Sequence, residues 1–203
     1  MPPREGITLT GILLAAGRGR RFDPAGVRNK LLQRLPGGDF VVVASARTLL
    51  AVLPRVVAVV PPSDGGVADA LRALGCTVTV CPDADSGMGL SLAHAIRHAP
   101  LDTLDTHGAG GWLVALGDMP FVTEATLQAL VRAVEEGAGI AAPLFDGQRG
   151  NPVAFGAIHH EALQALDGDQ GARRLLASSP MTTIAVPDPG ILRDIDTQGD
   201  LPA

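Results

Sequence analysis

Between Leu13 and Leu32 the chain reads LLAAGRGRRFDPAGVRNKLL. After Leu14, the small residues Ala15, Ala16 and Gly17 let backbone N–H groups approach a base or a phosphate, and Gly19 allows a tight bend. Arg18, Arg20 and Arg21 offer bidentate donors for phosphate oxygens, and Lys30 a point charge that can reach back to the same ligand. The same residues also describe a glycine turn carrying solvated arginines. Two common phosphate loops do not match. A dinucleotide fingerprint needs a third glycine where Phe22 stands, and an acid ending the second strand where Val59-Val60-Pro61 stands. A Walker loop needs Gly-Lys followed by Ser or Thr, whereas Lys30 lies between Asn29 and Leu31.

Three further stretches carry polar residues where chemistry could occur. ALGDMP at 115–120 places Asp118 at a strand's carboxyl end, where it can hold a divalent ion or simply form the turn. SGMGLSL at 86–92 opens a helix with Gly87, Met88 and Ser91, either an ordinary helix start or a set of N–H groups facing an anion or a base. RDIDTQGDL at 193–201 puts Asp194 and Asp196 around Ile195, turned to one face, with Asp196 also suited to cap a helix. His94 and His98 sit four apart on a helix, a spacing that can bind metal, but no third ligand follows and a solvated face explains them equally. His107, His159 and His160 read as surface residues. Neither a Ser-His-Asp nor a Cys-His constellation is evident.

The elements that must position these residues follow from apolar runs and breakers. Ile7–Leu14, Arg55–Val60, Thr77–Cys81, Trp112–Leu116, Ile140–Pro143, Val153–Phe155 and Thr182–Val186 read as strands. Helices are expected after Asp39 as cap up to Pro54, over Val67–Leu74 closed by Gly75, and over Gly89–His98. Thr123 caps another that ends at Gly137, with Leu127, Leu130, Val131 and Val134 on one face, and helical segments follow near His159–Leu166 and Gln170–Ala177. Leu101–Gly111 reads as a polar loop. Alternating strands and helices with continuously apolar strands predict an α/β fold, a three-layer α/β/α arrangement with a mostly parallel sheet. No repeat or linker interrupts the pattern, so residues 1–203 are expected to form a single domain. Ligands of such sheets bind beyond the carboxyl ends of the strands, which is where the unusual residues fall.

Composition narrows the partners. The chain has 203 residues, 46% hydrophobic and 18% charged, which suits a packed core rather than a disordered chain. Only 3% are aromatic, without tyrosine, which disfavours a base-stacking platform for single-stranded nucleic acid. A net charge of -5 argues against nucleic acid or an anionic membrane as partner, while the local cluster of Arg18, Arg20, Arg21, Arg28, Lys30 and Arg34 suits a small anion. Cys76 and Cys81 point to opposite faces and read as core residues, not as a disulfide. The opening MPPREGITLT lacks an apolar signal core and no apolar run is long enough to span a membrane, so a cytoplasmic location is the expectation.

Taken together, LAAGRGRRF at 14–22, NKLL at 29–32, SGMGLSL at 86–92, LGDMPFV at 116–122, GQRGNPVAFG at 147–156, GDQGARRLL at 168–176 and DIDTQGDL at 194–201 resemble the MobA-like NTP transferases. The resemblance covers nearly the whole chain and is strongest to the molybdenum cofactor cytidylyltransferase branch. Ala16 stands where guanylyl-transferring members carry Gly, and LGDMP replaces a P-C-D-T-P pattern. The resemblance implies a nucleotide-diphospho-sugar transferase type fold and Mg²⁺-dependent nucleotidyl transfer. It implies that Ala15 to Arg21 cradle the NTP, with Leu14 at the start of that loop. Lys30 and Arg21 would act on the phosphates, and Asp118 and Asp196 would hold the metal. Gly87, Met88 and Ser91 would lie near base or ribose, and Asn151, Asp169 and Arg173 on the acceptor side. Two departures stand out: Asn151 replaces a family His, and FDPAGVRNK is longer than the usual loop before the lysine.

The implied substrates are CTP and a phosphorylated pterin, with pyrophosphate released, and a molybdoenzyme or its chaperone as a further partner. A different phosphorylated acceptor, or a non-catalytic protein that hands on the cofactor, would carry similar motifs.

Overall fold

The computed structural model describes residues 9–17, 19–99, 110–168 and 171–202. Eight strands form one sheet: β1 (Leu9–Leu14), β2 (Val56–Val60), β3 (Thr77–Val80), β4 (Gly111–Leu116), β5 (Ile140–Phe145), β6 (Gln148–Arg149), β7 (Val153–Gly156) and β8 (Thr182–Ala185). Among the described residues, six α-helices cover it: α1 (Val41–Val52), α2 (Val67–Leu74), α3 (Met88–His98), α4 (Glu124–Glu135), α5 (His160–Gln164) and α6 (Arg173–Ser178). Strand order runs β3-β2-β1-β4-β7-β5. Ala141 of β5 pairs with both Ala154 of β7 and Thr182 of β8, so β8 lies on the opposite edge of β5. The short β6 pairs with the far end of β5.

β1, β2, β3 and β4 are mutually parallel, and β7 enters antiparallel to β4 and β5. The chain builds outward from β1 through β2 to β3, then returns on the other side of β1 as β4. Order therefore reverses between β1 and β4, and a crevice opens beyond the carboxyl ends of those two strands.

The strands are buried on both faces, as helices on both sides require. In the β-branched run of β2, Val56, Ala58 and Val60 face the layer holding α1, α2 and α4, while Val57 and Val59 face the layer holding α3 and α5. Cys76 belongs to the first layer and Cys81 to the second, both as free buried thiols. Leu13, Leu49, Leu71, Leu92, Leu113 and Leu130 are fully buried, each worth roughly 1.5–3 kcal/mol of transfer free energy.

Most boundaries lie within a residue or two of the sequence expectation. Thr123 caps α4 through its side chain, and Gly75 closes α2 in the left-handed conformation. The cap of α1 differs: Phe40, not Asp39, occupies that position, and no side chain caps it. The Arg34–Phe40 bridge and the Leu35 N–H donating to the Asp39 carbonyl hold Asp39 in a turn, and Arg47 takes its carboxylate at 3.1 Å. His107 and most of the Leu101–Gly111 loop lie outside the described residues. Among the described residues, no helix is long and apolar enough to cross a membrane.

Candidate active site

The crevice between β1 and β4 is closed at its floor by backbone. Ala15 N–H donates to the Val59 carbonyl (3.0 Å) and Gly117 N–H to the Leu14 carbonyl (2.9 Å), extending the sheet just past its strands. The methyls of Ala15 and Ala16 point into opposite core layers, which leaves the backbone of the loop facing the crevice. At Gly19 the chain turns with φ +59°, a left-handed conformation that favours glycine. The Gly19 carbonyl then accepts from Phe22 and Asp23, and buried Phe22 anchors the loop in the core.

The long segment before Lys30 folds back on itself. Asp23 accepts the N–H groups of Ala25, Val27 and Arg28 at 2.7–3.0 Å, so the extra residues form a closed turn rather than a slack tether. Arg28 reaches Gln198, whose amide donates to the Phe22 carbonyl. Asn29 then sets the lysine. Its Oδ1 accepts from Leu31 N–H (3.0 Å), its Nδ2 donates to the Asp64 carbonyl (3.0 Å), and a short 3₁₀ turn over Lys30–Leu32 follows.

Lys30 is buried, and its Nζ donates to Asp118 Oδ2 at 2.5 Å and to Asp196 Oδ1 at 3.0 Å. Arg21 Nη1 meets the other oxygen of Asp196 at 2.6 Å from an exposed position. Burial works against the ammonium charge, but the Asp118 carboxylate and the bonds to Asp118 and Asp196 outweigh it and hold Lys30 above the usual lysine range. Burial, then the like charge of Asp196, pushes the neighbouring Asp194 carboxyl up.

Both acids are fixed by backbone. Ser45 Oγ donates to the Gly117 carbonyl, and Ile195 N–H donates to the Asp118 carbonyl. Asp200 accepts from Asp196 N–H, Thr197 N–H and Thr197 Oγ in a capping box.

A cleft of about 450 Å³ opens above this floor. Its walls include Leu14, Ala15, Ala16 and Gly17 on one side, Gly87, Met88 and Ser91 on another, and Lys30 and Asp118 at the base. The start of α3 is clamped: Gly89 N–H donates to the Gly168 carbonyl (2.9 Å), and a β-carbon on Gly89 would lie 2.4 Å from the Asp167 carbonyl oxygen. Met88 in turn packs against Gly171.

The structure thus gathers Lys30, Arg21, Asp118 and Asp196 into one ion-pair network beside Leu14, Ala15, Ala16, Gly17, Gly87, Met88 and Ser91. Gly19 lies against the Lys30 stem rather than on the cleft wall. Asn151 follows Gly150 in the turn before β7, near the carboxyl end of β4, and is not among the cleft-lining residues. Arg173 opens α6 and is exposed, again not on the cleft wall. Arg18 and Asp169 lie outside the described residues.

Sequence reading did not single out Asp85, which lines the cleft, or the positioning roles of Asn29 and Asp200. Asn29 directly before the lysine and the Thr197-to-Asp200 spacing were the available signals. His94 does not form a metal pair with His98: their rings stack at 4.1 Å, and His94 Nε2 bonds Thr79.

A divalent ion fits these residues in one particular way. Two carboxylates, Asp118 and Asp196, converge on a single point, and hard oxygen donors suit Mg²⁺ or Mn²⁺. Among the described residues no group of three or more protein ligands exists, so phosphate oxygens and water would complete the shell.

Residues 11–183 match the MobA-like NTP transferase domain. The chain belongs to this family. The purine catabolism protein PucB of Bacillus subtilis is 30% identical over 203 residues, spanning 93% of this chain and 92% of PucB. Rv0371c from Mycobacterium tuberculosis is 26% identical with a TM-score of 0.79, covering 95% of both chains, and has also been solved in complex with manganese. A nucleotidyl transferase from Methanothermobacter thermautotroptrophicus is 25% identical, with a TM-score of 0.76 over 96% of this chain and 94% of its own. The chain is therefore an enzyme of the nucleotidyltransferase kind, in a family that uses a nucleoside triphosphate, a phosphorylated acceptor and generally a divalent metal.

Proposed function

We propose that this MobA-like enzyme, a single nucleotidyltransferase domain, transfers CMP from CTP to the terminal phosphate of molybdopterin or its molybdenum form, releasing pyrophosphate. The observation that carries the transferase chemistry is the buried Lys30 between Asp118 and Asp196 at the base of the cleft. The choice of CTP rests on the likeness of the first loop and of LGDMP to the cytidylyl branch, with Ala16 standing where guanylyl-transferring members carry Gly. The likeness to PucB, a purine catabolism protein, favours a member serving purine catabolism over a sugar-nucleotide one.

In this reading the Ala15–Gly17 backbone and the start of α3 grip the nucleoside, with Met88 and Ser91 beside base and ribose. Lys30, Arg20 and Arg21 neutralise the phosphates. A pterin phosphate oxygen attacks the α-phosphorus of CTP, the bond to the β-phosphate oxygen breaks, and that oxygen leaves on pyrophosphate. The attacking monoester is already ionised near neutral pH, so no general base is required. In-line positioning and charge neutralisation do the work. Mg²⁺ held by Asp118 and Asp196 would supply Lewis-acid neutralisation of the phosphate oxygens. Asn151, Arg173 and Asp169 would face the acceptor, and Arg18 the nucleotide phosphates.

The test is pyrophosphate release from purified protein with Mg²⁺ and each of CTP, GTP, ATP and UTP, with and without molybdopterin. Release only with CTP plus the pterin is expected, and Lys30→Ala or Asp118→Ala should each lower the rate by about 10²–10³. Release with another nucleotide, or with CTP and a different phosphorylated acceptor, overturns the substrate assignment.

A further inference from the structure

We infer that Lys30 is a resident cation that closes the metal position until nucleotide arrives, so that metal and nucleotide are taken up together. The inference rests on the reading of Asp118 and Asp196 as the metal carboxylates, and it concerns what this lysine does before substrate binds.

The Lys30 ammonium already sits where a divalent ion would have to sit, bonded to Asp118 Oδ2 at 2.5 Å and Asp196 Oδ1 at 3.0 Å. A magnesium ion would approach such oxygens to about 2.1 Å. Two cations cannot share that space, because the ion and the ammonium would stand in direct contact with like charge. Nor can the lysine leave by its own freedom. Asn29 holds the turn that carries it through Leu31 N–H and the Asp64 carbonyl, and the lysine stem packs against Gly19, where a β-carbon would lie 3.4 Å from Lys30 Cγ. Solvent is a poor alternative for a side chain that is almost wholly buried.

One exit is open. Lys30 lines the cleft, so its ammonium can turn from the carboxylates to anionic oxygens inside the cleft without leaving the protein interior. A triphosphate supplies those oxygens. Once Lys30 pairs with phosphate, Asp118 and Asp196 lose their counter-charge and accept a divalent ion. Arg21 adds to the closed state by holding the second oxygen of Asp196, but it is exposed and can depart into solvent. Each ligand therefore favours the other, and by linkage the effect is equal in both directions.

The test is Mn²⁺ binding to the full chain with no nucleotide present, followed by the paramagnetic signal of free Mn²⁺. Wild type is expected to bind Mn²⁺ weakly. Lys30→Met, which keeps the stem and removes the charge, is expected to bind it about tenfold or more tightly, within the range of coupling between ligands of one site. Lys30→Arg should remain as weak as wild type, and adding Asp118→Asn to Lys30→Met should abolish the gain. Lys30→Met binding within about twofold of wild type overturns the inference, as does a gain that survives Asp118→Asn.

If Lys30→Met fails to fold, Lys30→Gln decides, since it removes the charge and keeps a polar end. Its Mn²⁺ affinity without nucleotide should exceed that of wild type about tenfold. Affinity equal to wild type overturns the proposal. The metal-only arm uses no nucleotide and no acceptor, so it stands or falls independently of which base or pterin the enzyme accepts.

Discussion

Replacing Asn29 with alanine should separate the positioning of Lys30 from its charge. The side chain makes two bonds, accepting from Leu31 N–H and donating to the Asp64 carbonyl, each at 3.0 Å. The first is a helix cap, worth about 1 kcal/mol. The second is an ordinary part-buried hydrogen bond, worth about 1 kcal/mol net. Asn29→Ala should therefore cost about 2 kcal/mol, which for a chain of this size lowers Tm by about 4–8 °C. Asn29→Ser keeps a capping oxygen but is too short to reach Asp64, so it should lose about half as much. Lys30 follows Asn29 directly, and a loosened turn lets the ammonium drift from its place. Nucleotidyl transfer should fall about tenfold or more in Asn29→Ala, since small misplacements of a positioned group cost that much, and less in Asn29→Ser. Thermal unfolding by circular dichroism and pyrophosphate release under saturating substrate read the two effects. Wild-type Tm and rate in both variants would refute the reasoning. An Asn29→Ser variant as damaged as Asn29→Ala would show that the cap contributes nothing.

Two further perturbations probe the frame of the site. Gly89→Ala puts a methyl 2.4 Å from the Asp167 carbonyl oxygen and 2.9 Å from that of Gly168; the start of α3 must shift, at a cost of about 1–3 kcal/mol. Calorimetry should show weaker nucleotide binding with Lys30 intact, and unchanged affinity and stability would mean the clamp does not matter. Asp188 is buried and accepts from Thr123 N–H, Thr123 Oγ, Thr126 Oγ and Gly190 N–H at 2.6–2.9 Å. Asp188→Ala strands these donors and should cost about 3 kcal/mol in urea unfolding. Burial alone would push the Asp188 carboxyl up, but the bonds from Thr126, Thr123 and Gly190 outweigh it and hold it below the usual value of 3.8. Its stabilisation is therefore full above the unfolded value and is lost as pH falls through the lower folded one. Asp188→Asn should remove that acid slope, and an unchanged slope between wild type and variant would refute the assignment.

The order of elements was legible because buried parallel strands leave continuous apolar runs and helix ends leave capping residues. Val56–Val60 and the Thr123-to-Gly137 helix illustrate both. The cap of α1 departs from the sequence expectation because Asp39 is a good capping type by itself, while a contact with Arg47 and a turn closed by Leu35 decide its place. The direction of β7 is not written in its sequence, since a short apolar strand looks the same either way; its hydrogen bonds with β4 decide it.

For the candidate site, the residue types and their positions were visible in the chain itself, because several polar stretches fall beyond the carboxyl ends of apolar strands, where ligands of such sheets bind. What the sequence alone determined was the set of groups: a glycine loop, a lysine and two aspartates. Their assembly is tertiary. Lys30 and Asp196 are separated by most of the chain, and only the reversal of strand order at β1 and β4, with Ile195 bonded to the Asp118 carbonyl, brings them within hydrogen-bond distance. Local pattern records which groups are present, whereas the distance between charges depends on how distant segments pack, and electrostatic pairing falls off too steeply with distance to be read from spacing along the chain.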